Sequence, residues 1–137
     1  MVRDIVHDPI LLGIPSAPAK KEDLQTAKDL LDTLAFHKDG CVGMAANMIG
    51  EPVRIIVFDD NGKLKVMFNP RITRASGEYE TQESCLSLLG GPRNTRRFQK
   101  IKVEYQDSDF RNRQKNYEGW TAQIIQHEVD HCEGILI

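Results

Sequence analysis

His127-Glu128-Val129-Asp130-His131, near the end of the chain, is an HExxH segment. On a helix, residues four apart share one face about one turn apart. The two imidazoles can therefore grip a single metal ion. Glu128 sits beside the first of them, placed to take a proton from a metal-bound water. The bland alternative is a surface helix that happens to hold two histidines. The chain has only four histidines, which makes this spacing around a glutamate hard to ascribe to chance. Trp120, Ile124, His127 and His131 follow at steps of four, three and four. They form one stripe of a helix expected over 120–132 and closed by Gly134. Trp120 and Ile124 are candidates for an apolar wall above a metal floor; alone they would read as core residues. Asp130 points elsewhere and reads as a surface carboxylate or an outer support.

A catalytic metal held by two histidines needs a third protein ligand. Cys85, in Glu83-Ser84-Cys85-Leu86-Ser87, is the best candidate, since a thiolate is a strong soft ligand. An inert buried cysteine or a nucleophile is the alternative. Cys132 is a poor rival, being adjacent to His131 and about 100° round the helix. Cys41 stays open on chemistry alone.

Outward from that segment, the chain reads as several antiparallel strands and two helices, an α+β class in one domain over residues 1–137. The first 21 residues hold three of the six prolines and are expected to form an extended arm. Leu24, Ala27, Leu31, Leu34 and Ala35 mark the apolar face of a helix over 21–38. The small-residue stretch 41–50 (CVGMAANMIG) suits tight packing or a loop that approaches a ligand closely. Residues 53–58 (VRIIVF) read as a buried strand, 59–62 as a turn and 64–68 as the returning strand. Residues 71–79 and 111–117 are weaker strands. Gly90-Gly91-Pro92 is expected to break the chain, and 98–105 alternates as a half-buried strand.

With 18 basic and 20 acidic residues the net charge is -2, which gives no sign of nucleic-acid or membrane-surface binding. Three cysteines do not suggest a disulfide framework, so a reducing, cytoplasmic compartment is expected. The start lacks the pattern of a signal peptide. No apolar run approaches the ~20 residues that span a bilayer.

Three ordered motifs carry a resemblance that covers nearly the whole chain: CVGMAANM at 41–48, Glu83-Ser84-Cys85-Leu86-Ser87 and HEVDH at 127–131. Together they resemble the peptide deformylase family, whose motifs are GxGxAAxQ, EGCLS and HExDH. The opening IVHDPILL at 5–12 is also similar to the family's arm. The resemblance implies antiparallel sheets around a central HExxH-bearing helix. It implies metal ligation by Cys85, His127 and His131, with Glu128 as general base and acid. One divalent ion is implied, Fe²⁺ in the cell, with Zn²⁺, Ni²⁺ or Co²⁺ as substitutes in purified protein. The implied reaction removes formate from the N-formylmethionine of new polypeptides. Substrate would lie extended along Gly43, with Val42, Trp120 and Ile124 lining the pocket for its methionine side chain. Glu83 and Arg97 are expected to pair and hold the ligand loop.

Leu86 keeps the backbone N–H that would steady the oxyanion, but the family's glutamine is Met48, which has no N–H to give. Asn47, one position early, is a weak candidate to replace it. A glycine of the first motif is Cys41, and the glycine before the metal cysteine is Ser84. These departures raise an alternative: a metal-binding paralogue with lost or altered activity that binds or deacylates other N-acylated peptides. An ordinary zinc endopeptidase is more remote. The chain stops six residues after His131, so ribosome contact is expected to be transient, and a monomer is the default.

Overall fold

The computed structural model describes residues 1–136. Asp8 opens the first helix, α1 (Pro9–Leu12), its carboxylate accepting the Ile10 N–H at 2.9 Å. The opening arm is therefore not extended throughout. Asp followed by Pro is a favoured pair for a helix start, and here it outweighs the extended bias of the prolines. The second helix, α2 (Leu24–Phe36), is preceded by one 3₁₀ turn at Lys21–Asp23. Its buried face is Ala27, Leu30, Thr33 and Leu34, with Leu24 and Ala35 exposed. That face is rotated from the expected one because Asp29 also turns inward, held by the guanidinium of Arg3 at 3.2 Å.

Five strands form one antiparallel sheet in sequential order: β1 (Gly43–Ala45), β2 (Ile55–Asp60), β3 (Lys63–Cys85), β4 (Leu88–Gln106) and β5 (Asn112–Glu118). Strand β2 is apolar on both sides because both its faces are covered. Ile55 and Val57 pack with Leu30 and Leu34 of α2. Ile56 and Phe58 pack with Ile125 and Val129 of the last helix, α3 (Gly119–Cys132). This is why VRIIVF does not alternate.

The two strands expected at 64–68 and 71–79 are one strand, β3, with irregular pairing between Phe68 and Arg71. Asn69 takes a positive φ of 51° there, and its side chain holds Ala19 and Gln106. Gly90-Gly91-Pro92 does not end a strand either. It lies inside β4 as a bulge between the pairs Glu83–Arg93 and Cys85–Leu88, with φ of 108° at Gly90 and 82° at Gly91. The long β3–β4 hairpin thereby carries Cys85 at its tip back over α3. Among the described residues, no helix is long and apolar enough to cross a membrane.

Candidate metal centre

Helix α3 packs against β1, β2 and β4 of the sheet, so its histidines are enclosed. His127 is 7% exposed, Glu128 4% and His131 0%. The hairpin tip brings Cys85 to them: Cys85 Sγ, one nitrogen of His127 and one of His131 all lie within 4.8 Å of one another. The Nε2 atoms of the two histidines face each other at 3.2 Å, and Cys85 Sγ is 3.3 Å from His131 Nε2. Cys41 and Cys132 stand outside this cluster. Burial pushes both thiols up to about 12, and Cys41 donates its S–H to the Gly43 carbonyl at 3.0 Å.

The donor set fits a divalent cation. His127 turns its Nδ1 to the Glu83 carboxylate at 2.8 Å, which leaves Nε2 as the free ligand nitrogen, the arrangement usual for metal-binding histidines. Glu83 is in turn held by Arg97, whose guanidinium reaches it at 2.7 Å and also reaches Asp130 at 2.6 Å. Burial alone would push the Glu83 carboxyl up, but hydrogen bonds from His127 and Arg97 outweigh it and hold it at about 2. Of the two readings of Asp130, a surface carboxylate or an outer support, the structure gives the second: it is the other anchor of Arg97. In the metal-free site burial would lower His127, but the nearby Glu128 charge and hydrogen bonds with Cys85 and Glu83 hold it at about 10. Burial and the neighbouring His127 charge push His131 down to about 3. A cation would displace the proton on His127, so its uptake releases acid.

Glu128 stands beside the donor cluster with one carboxylate oxygen, Oε1, buried and without a hydrogen-bond partner. Burial is the main cause that raises its pKa to about 7. A cavity of about 400 Å³ opens onto it, lined among others by Val42, Gly43, Met48, Cys85, Leu86, Trp120, Ile124, His127 and Glu128. The expected pocket residues therefore share one cavity. Ile124 is a buried wall, whereas Trp120 is 61% exposed and forms a rim. Gly43 approaches so closely that an added Cβ would lie 2.8 Å from Ile124 Cγ2 and 2.9 Å from Glu128 Oε2. Gly43→Ala is expected to cost about 1–3 kcal/mol of stability and to displace Glu128. Denaturant unfolding and kcat of the metal-loaded variant should both fall; a variant with wild-type values in both would mean the contact yields freely.

The fold and this geometry match known proteins. The model of the family described as polypeptide deformylase matches residues 4–137. The chain belongs to the polypeptide deformylase family. A peptide deformylase from Clostridium beijerinckii is 47% identical over 100% of both chains. The crystal structure of peptide deformylase from Thermus thermophilus has a TM-score of 0.87 at 35% identity, covering 99% of this chain and 83% of that one. A class I type b peptide deformylase from Acinetobacter baumannii, solved with Met-Ala-Ser bound, has a TM-score of 0.88 at 27% identity, covering 99% and 97%.

Against the deformylase motifs, the substituted position is now explicit. Met48 is buried, lines the cavity, and accepts the Ala45 N–H through its Sδ at 3.4 Å. Asn47 does not replace the missing amide: its Nδ2 donates to the His131 carbonyl at 2.9 Å. Two further residues, Gln123 and Tyr79, join the Glu83 network and escaped the sequence reading. Gln123 donates to Glu83 at 2.9 Å and accepts from the Tyr79 hydroxyl at 3.0 Å. Their polar type in a motif-bearing hairpin and helix was the only signal available.

Proposed function

We propose that this chain is a metal-dependent amidohydrolase that removes the formyl group from N-formylmethionine at the start of new polypeptides, with Cys85, His127 and His131 as the metal ligands. One observation carries the reading: three soft and imidazole donor atoms converge within 4.8 Å beside a buried, unpartnered carboxylate at the foot of a cavity. Fe²⁺ is the metal proposed for the cell; Zn²⁺, Ni²⁺ or Co²⁺ would suit the same donors. The relative solved with Met-Ala-Ser supports a methionyl peptide as the ligand class. Strand β1 is an edge of the sheet, so an extended peptide can pair along Gly43. Val42, Trp120 and Ile124 would surround the methionine side chain.

A cation held by Cys85, His127 and His131 would supply Lewis acidity and make a water a better acid. Glu128, buried beside the donor cluster with a carboxylate oxygen free of partners, is placed to take a proton from water and to return it. As the carbonyl carbon becomes tetrahedral, the Leu86 N–H donates to the developing oxyanion. Glu128 then gives its proton to the leaving amine, and formate and a free methionyl N-terminus result. Glu83, held by Arg97, keeps His127 turned with Nε2 toward the cluster.

Residues 1–137 act as one domain in this reading, as a cytoplasmic monomer that meets nascent chains at the ribosome transiently. The single observation favouring a paralogue with altered activity is Met48, which leaves the oxyanion one donor short. Formate release from formyl-Met-Ala-Ser by protein loaded with Fe²⁺ or Ni²⁺ without air decides between them. Multiple turnovers are expected. Metal-loaded protein that binds the peptide yet frees no formate would replace this reading by the binding paralogue.

A further inference from the structure

We infer that Gln123 is a positioning residue for His127, acting through Glu83 and fixed from behind by Tyr79. The inference rests on the proposed ligand role of His127. Tyr79 and Glu83 are four apart on β3 and so point to one face of the strand. Gln123 and His127 are four apart on α3 and so lie on one face of the helix. The two pairs form a ladder between strand and helix. One rung is the Tyr79 hydroxyl donating to Gln123 Oε1 at 3.0 Å. The other joins Glu83 Oε1 and His127 Nδ1 at 2.8 Å. A diagonal, Gln123 Nε2 donating to Glu83 Oε2 at 2.9 Å, closes it.

The ionised Glu83 carboxylate can only accept, so it turns the Gln123 amide with its N–H toward Oε2. The amide oxygen is left to accept from the Tyr79 hydroxyl, which fixes the side chain from behind. Arg97 holds the same carboxylate through its Nε and Nη2, and Glu83 and Arg97 side chains are only 7% and 5% exposed. Without Gln123, Oε2 keeps only the Arg97 Nε, and the carboxylate can pivot about the guanidinium. The partner of His127 Nδ1 then shifts, and Nε2 loses its fixed direction. Gln123 also lines the cavity that holds Glu128. It is both wall and prop, and a peptide pressing on it would bear on the ligand behind it.

The test is metal release to a chelator from Co²⁺- or Zn²⁺-loaded wild type, Gln123→Met, Tyr79→Phe, the double variant and Cys85→Ala, with thermal midpoints alongside. Methionine keeps the volume and unbranched shape but has no amide. Gln123→Met is expected to release metal on the order of tenfold faster, the scale of losing an outer support. Tyr79→Phe should act in the same direction but less. The double variant should equal Gln123→Met, because Tyr79 acts only through that amide. Release at the wild-type rate, with only KM or the midpoint changed, would overturn the inference and leave Gln123 a wall residue. If wild type held metal no better than Cys85→Ala, the ligand reading itself would fail first, and this inference with it.

Discussion

Replacing Glu128 by glutamine is expected to lower kcat by about 10²–10⁴-fold, the range typical of a positioned acid–base group, while the metal stays bound. Glutamine keeps the shape but cannot carry a proton between water and amine. The same change should stabilise the metal-free protein at high pH. Glu128 titrates at about 7 in the fold, above its ordinary 4.5. A raised value means the folded state keeps a proton that the unfolded chain gives up. Its contribution is therefore fully present below pH 4.5 and is lost as pH rises to about 7. Glutamine stays neutral throughout. The variant should match wild type near pH 4 and exceed it by about 3 kcal/mol at pH 8. Denaturant unfolding of metal-free protein at those two pH values measures this directly. A variant less stable than wild type at pH 8 would mean that the carboxylate is held as an anion in the fold.

The second large effect is a gain. Met48→Gln is expected to raise kcat by about 10²–10³-fold, the amount one oxyanion donor typically contributes. The side chains are similar in length and volume. Met48 is buried at the cavity wall with its sulfur accepting the Ala45 N–H. A glutamine oxygen can accept that N–H in its place and leave the amide N–H free to face the cavity. Burying the amide costs about 1–3 kcal/mol, so the variant should unfold earlier while working faster. Steady-state formate release from both proteins, loaded with the same metal, reads the ratio. No increase would show that the oxyanion is already fully held, with Leu86 or an unrecognised donor sufficing.

Much of this site was legible before coordinates because its chemistry is local in sequence. HEVDH carries the two proposed ligand histidines and the proposed base within about one helix turn, and helix geometry alone brings them together. The buried strand was legible from its unbroken β-branched run, since covering both faces of β2 removes any need for polar residues. What was not legible depends on pairing between distant segments. Gly90-Gly91-Pro92 looks like a break in one dimension, and becomes a bulge only because β3 supplies a partner across it. Asn69 hides a continuation of the strand for the same reason. Arg97 was found through family resemblance, but its second anchor, Asp130, and the Tyr79–Gln123 rung depend on how the hairpin lies over α3. Asn47 is only a weak candidate in the sequence, because adjacent side chains on an extended segment point opposite ways, and the fold commits its amide to the His131 carbonyl.

X-ray absorption at the metal edge of protein loaded with one equivalent of Zn²⁺ or Co²⁺ tests the ligand set without relying on turnover. One sulfur scatterer at about 2.3 Å and two imidazole nitrogens at about 2.0–2.1 Å are expected, with the sulfur signal absent in any metal retained by Cys85→Ala. A wild-type spectrum with no sulfur, or with a second sulfur closing the coordination sphere, would contradict the account.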